Sequence, residues 1–126
     1  MTQALSTQYS AEPDVVRLFG RGTGASTSAL TSVKGKGIAS IARTGVGAHT
    51  ITLSEKWNGF LMFSSAILSS AAADDYEVTV VEELVASSKT VKIAIFKGGS
   101  AADLQTTDKI LFELVLSRTA QKPAGF

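Results

Sequence analysis

Gly45-Val46-Gly47 lies between two short β-prone runs, and no other stretch of the chain restricts the fold as strongly. The surrounding residues, Ile38 to Leu53, read Ile-Ala-Ser-Ile-Ala-Arg-Thr-Gly-Val-Gly-Ala-His-Thr-Ile-Thr-Leu. A three-residue hairpin loop needs a left-handed backbone at its last position, which Gly47 adopts without a Cβ clash. Closing the loop on residues 45–47 predicts Thr44 opposite Ala48, Arg43 opposite His49, Ile41 opposite Ile51 and Ala39 opposite Leu53. All but the first pair share one face, so Ala39, Ile41, Ile51 and Leu53 form an apolar patch while Thr50 and Thr52 point away. This predicts a register and a core face, and by itself no chemistry.

Further strands follow from period-two alternation. Val15 to Phe19, after Pro13, is a candidate first strand, and Ala29 to Val33 is a strand or extended connection. Tyr76, Val78 and Val80 alternate with Glu77 and Thr79; Val91, Ile93 and Ile95 alternate with Lys92 and Ala94. Ile110, Phe112, Leu114 and Leu116 take one face of a last strand. Ser54 to Ser70 fits two readings. Trp57, Phe60, Leu61 and Leu68 match a helical stripe that Ser54 would cap, but Gly59 and the serines favour a turn over 54–59 and a strand over 60–68. Gly20 to Ser28, rich in Gly, Ser and Thr, reads as loop or linker. The expected fold is therefore all-β: an antiparallel β-sandwich or jelly-roll-like barrel of about seven or eight strands. Residues 1–32 are expected to be an extended or flexible N-terminal arm and linker, and 33–126 the sandwich domain.

At 126 residues the chain holds one core. A hydrophobic fraction of 44% against 18% charged residues suits a compact β protein and argues against disorder. The net charge of +1 gives no reason to expect nucleic acid as a partner. The charge is nevertheless uneven: residues 1–63 carry six basic and three acidic side chains, and residues 64–126 six basic and eight acidic. Without cysteine, disulfides and thiolate metal sites are excluded. The first residues lack the basic start and apolar run of a secretion signal, and Phe60–Leu68 is too short to span a bilayer. The expectation is a protein made inside a cell that binds no membrane.

Candidate chemistry is sparse. Gly20-x-Gly22-x-Gly24 lacks the third glycine spacing and the following helix of a dinucleotide loop, and Gly35-Lys36-Gly37 lacks the P-loop pattern. His49, the single histidine, would have to carry any Ser-His-Asp relay, yet no G-x-S-x-G accompanies it. Its register places it on the core side beside Arg43, as a ring filling the sandwich edge. Asp74, Asp75 and Glu77, or Glu82 and Glu83, offer oxygen ligands without calcium-loop spacing. These, with Asp103 and Asp108, read as solvated loop charges. Strands can bring distant carboxylates together as glycoside hydrolysis requires, but the few aromatics make a poor sugar platform. Lys34, Lys36, Arg43 and Lys56 would form a basic edge without the interleaved aromatics of a nucleic-acid site. No catalytic, cofactor or metal residue is assigned, and no cofactor is expected.

The run Ala42-Arg43-Thr44-Gly45-Val46-Gly47-Ala48-His49-Thr50-Ile51-Thr52-Leu53, with Trp57 just after, resembles a hairpin of small virion proteins of tailed bacteriophages, the capsid decoration (cement) proteins and similar β-sandwich proteins. Their pattern is an R-T-G-x-G loop, an aromatic, then T-[VI]-T-L. Lys89-Thr90-Val91-Lys92-Ile93 and Ile110-Leu111-Phe112-Glu113-Leu114-Val115-Leu116 resemble the last two strands, so the likeness runs from about Gly37 to Arg118. His49 stands where that pattern has a tyrosine or similar aromatic. The resemblance implies a non-enzymatic protein on the outside of a phage head. It would bind the major capsid protein across subunit junctions as a dimer or trimer, and be made in the host cytoplasm. Contacts are expected on Met1–Val33 and the Gly98–Asp108 loop. The alternative is a carbohydrate- or receptor-binding module of a tail fibre, which would display Trp57, Tyr76 or Phe96 at loop ends.

Overall fold

Alternating apolar residues along short β-branched runs leave this chain one way to bury its hydrophobic surface, by pressing two sheets together. A computed structural model describes residues 15–69 and 75–118. The strands are β1 (Val15–Thr23), β2 (Thr31–Lys34), β3 (Ile38–Gly45), β4 (Ala48–Leu53), β5 (Gly59–Leu68), β6 (Tyr76–Leu84), β7 (Thr90–Lys97), β8 (Ser100–Ala101) and β9 (Lys109–Ser117). One sheet has the order β2-β1-β9-β5, the other β3-β4-β7-β6 with β8 added to β7. All pairings are antiparallel. The fold is the expected all-β sandwich, with no helix among the described residues. The ninth strand is the two-residue β8, too short to carry an alternation signal.

The central strands supply the core. Ile51 and Leu53 of β4, Val91, Ile93 and Ile95 of β7, and Ile110, Phe112, Leu114 and Leu116 of β9 are all buried. Strand β5 begins at Gly59 after a bend at Ser54–Glu55, so the strand reading of this region is the correct one. The hairpin keeps Arg43 opposite His49 and Ile41 opposite Ile51 as predicted. Its ends differ. Gly45 pairs with Ala48 across a turn at Val46-Gly47, and Thr44 is bulged. A second irregularity at Ala39 brings Ile38 opposite Leu53 and leaves Ala39 exposed. The exchange favours burial, because the larger Ile38 packs against the core in place of a methyl group. Gly47 has φ 67°, and its carbonyl accepts the Ile95 amide at 2.8 Å. A Cβ there would run into the Ile95 and Ala102 carbonyls.

The amino-terminal segment departs most from the expectation. Gly20 to Thr23 is not linker but the second half of β1, and all nine residues of β1 pair with β9. Residues 15–32, read from the sequence as arm and linker, thus contain a strand lying between β2 and β9; Met1–Asp14 lie outside the described residues. The pattern was hidden because Gly20 and Gly22 occupy the inward positions after Leu18, where an apolar side chain would have signalled a strand. Gly20 lies under the ring of Phe112, which stacks on Phe63 at 5.8 Å, and a Cβ at Gly22 would come within 3.0 Å of Leu30. The neighbours' side chains fill the space that these two positions leave.

Each of β2, β3, β5 and β6, the outermost strands, makes a pairing that contains a register shift, whereas β1–β9 and β4–β7 run unbroken. Bulged edges are poor templates for adding another strand.

Candidate functional site

The least exposed ion pair of the fold forms where the β3–β4 turn meets the β8–β9 loop. β3 carries Arg43 to the turn, and the Asp103 carboxylate meets it side-on: Arg43 Nε donates to Oδ1 at 3.0 Å and Nη2 to Oδ2 at 2.9 Å. The Gly47 amide donates to the same Oδ1 at 2.9 Å. The guanidinium bonds hold the Asp103 carboxyl below the usual carboxylate range, outweighing burial, and the Gly47 amide adds to them. Asp108 ties the other end of the loop. Its carboxylate accepts the Tyr76 hydroxyl at 2.8 Å and the Gln105 amide at 3.2 Å, and its carbonyl accepts the Gly24 amide at 2.8 Å. With Leu104 fully buried between them, the two carboxylates tie β3 and β6 to the loop, and the backbone bonds of Gly24 to Asp108 and of Ala102 to Ile95 add the end of β1 and β7.

Asp103 and Asp108 are therefore not the solvated loop charges the sequence suggested. Asp108 is 1% exposed, and the Asp103 side chain 9%. A buried carboxylate needs hydrogen-bond donors, which Arg43 and the Gly47 amide supply to Asp103 and the Tyr76 hydroxyl and Gln105 amide to Asp108. Sequence offered one cue, that Arg43 flanks a tight turn; its partner sixty residues on is visible only in three dimensions. Arg43 is thereby removed from the basic edge expected with Lys34, Lys36 and Lys56.

His49 sits on the core side as expected, 2% exposed, and neither ring nitrogen has a hydrogen-bond partner among the described residues. Burial lowers its pKa; Asp103 opposes that shift and Arg43 reinforces it. A relay would require a carboxylate bonded to one ring nitrogen and a reacting group at the other, and Asp103 is instead committed to Arg43 and Gly47. No cluster of three or more possible metal ligands occurs among the described residues. Asp75, Glu77, Glu82 and Glu83 are exposed as the sequence suggested, with Glu82 paired to Lys92 at 3.1 Å; Asp74 lies outside the described residues. The aromatics considered for sugar binding are partly used inside the fold. Trp57 and Tyr76 pack against the core, and Lys97 stands 5.3 Å from the Tyr76 ring centre.

The outer face of the β2-β1-β9-β5 sheet is less legible from local patterning. Register places Arg17, Phe19 and Arg21 of β1, Leu111 and Glu113 of β9, and Met62, Ala66 and Leu68 of β5 on that face. Phe19 is 64% exposed, Leu68 54% and Met62 49%. Glu113 sits among them, accepting from Arg17 at 2.8 Å. The outer face of the other sheet carries Thr50, Thr52, Thr79, Lys92 and Glu82, with Phe96 and Leu84 towards the two ends of the β6–β7 pairing. Sequence had marked Leu111 only as part of a strand; that Phe19 faces outward follows from β1 continuing through the glycines. Comparison with family models, curated proteins and solved structures finds no match to this chain.

Proposed function

We propose that this chain is a non-enzymatic structural protein of a phage virion, which binds the outer surface of the capsid at subunit junctions and stabilises the shell. The supporting observation is the outer face of the β2-β1-β9-β5 sheet. Large apolar side chains stand exposed there along β1 and β5, the two strands that flank β9. Such a face suits a broad protein surface better than a small molecule, which favours a concave site. The bulged outer strands direct association to faces instead of ladder extension. The resemblance of the Ala42–Leu53 hairpin to those of decoration proteins points the same way. Of the expected contact regions, Met1–Asp14 lie outside the described residues, and the β8–β9 loop turns Asp103, Leu104 and Asp108 inward. The β5 half of the apolar face, Met62 and Leu68, is therefore the proposed shell contact.

The test is sedimentation with phage capsids stripped of decoration protein. At micromolar protein the wild type co-pellets, and Met62→Asp/Leu68→Asp stays in the supernatant while keeping its thermal unfolding transition. Failure of the wild type to pellet would sink the reading.

A further inference from the structure

The apolar sheet face has a second half, separate from Met62 and Leu68. Phe19, Gly20 and Leu111 floor a shallow notch that Arg21, Lys34 and Gly35 close, with a volume of about 230 Å³. Arg21 and Lys34 face each other across the β1–β2 pairing, and both are exposed. Lys36, in the next turn, is exposed too, and none of these three has an ion-pair partner among the described residues. The notch is an apolar socket with a cationic rim.

Its chemical complement is on the same molecule. Val81-Glu82-Glu83-Leu84 at the end of β6 is exposed at all four positions, Val81 to 59% and Leu84 to 38%. Val81 falls at the β6 bulge, whereas Glu82, Glu83 and Leu84 pair with Lys92, Val91 and Thr90 along the free edge strand of that sheet. Two carboxylates between two apolar side chains match a socket with basic groups at its lip.

The two patches cannot meet within one chain. β2 neighbours β3 and β5 neighbours β6 across the sandwich, so the notch at β1–β2 and the β6 segment lie on opposite sides. We propose that Val81–Leu84 of one copy docks into the Phe19–Leu111 notch of a second, with Glu82 and Glu83 against Arg21 and Lys34. Because the patches differ, the contact is head-to-tail. Each copy keeps a free notch and a free β6 segment, and the assembly closes as a ring or extends as a chain. This inference concerns the free protein and stands whether or not a capsid is its partner.

The experiment is sedimentation velocity of the full chain, with no capsid, in low salt and up to roughly 100 µM, high enough to populate a micromolar contact. Wild-type protein is expected to form species larger than a monomer, diminished by added salt. Arg21→Glu/Lys34→Glu and Glu82→Lys/Glu83→Lys should each be monomeric. Mixed in equal amounts, the two carry complementary charge at both contacts, an intact notch with an intact β6 segment and a reversed notch with a reversed one, so association is expected to return. Circular dichroism and thermal unfolding confirm that each variant is folded; should Glu82→Lys/Glu83→Lys not fold, Glu83→Lys alone, which leaves the Lys92 pair in place, takes its role. A wild-type monomer across the whole range would overturn the proposal. So would a notch variant that is monomeric beside a β6 variant that associates normally, since the notch would then meet something other than β6. A mixture that stays monomeric overturns it equally.

Discussion

Asp103→Ala removes the carboxylate that joins the β3–β4 turn to the β8–β9 loop. The side chain accepts three hydrogen bonds of 2.9–3.0 Å, two from Arg43 and one from the Gly47 amide. A hydrogen bond to a charged group contributes about 1.5–3 kcal/mol net, but these share one carboxylate and do not add fully. The Arg43 side chain keeps 20% of its exposure and recovers some hydration once released. The expected loss is about 3 kcal/mol, or about 15 °C in Tm for a domain of this size. The internal comparison is Arg17–Glu113, equally short at 2.8 Å but with Arg17 58% exposed. Solvent screening limits that pair to at most about 1 kcal/mol. Urea unfolding followed by circular dichroism, run as double-mutant cycles on both pairs, measures each coupling directly. If the Arg43–Asp103 coupling were no larger than that of Arg17–Glu113, the carboxylate would not be holding the two loops together.

His49→Leu removes two buried nitrogens that have no partner, so stability at pH 7 should hold or rise by about 1 kcal/mol. The pH profile is the sharper readout. The folded pKa of His49 is lowered, so its contribution is present above the ordinary value of about 6.5 and is lost as pH falls through that value towards the folded one. Arg43 reinforces this dependence and Asp103 moderates it; the loss between neutral and mildly acidic pH should shrink in His49→Leu, and an unchanged profile would place the titrating group elsewhere. Asp103, also lowered, loses its contribution only as pH falls below about 4. Gly20→Ala places a methyl group in the Phe112 ring and should cost about 1–3 kcal/mol by overpacking, read as a lower urea midpoint at unchanged slope. Tyr76→Phe leaves the buried Asp108 one donor short and should cost about 1–3 kcal/mol, although no apolar contact changes.

The sandwich and the pairing of Ile41 with Ile51 and Arg43 with His49 were legible in the sequence, because alternation and a glycine turn act over neighbouring residues. So was the side on which His49 lies, which follows from the same register. Three features were decided only by the tertiary structure. Gly20 and Gly22 look like linker until Phe112 and Leu30 arrive to fill the space above them, since a glycine's place in a strand is set by its neighbour's size. Asp103 and Asp108 look like surface charges until Arg43 and Tyr76, distant in sequence, supply the donors that make burial tolerable. The apolar sheet face and its cationic notch arise from side chains on four strands, none unusual alone. Periodicity fixes which way each residue points along its own strand; which residues then lie side by side depends on strand order, and strand order leaves no local trace.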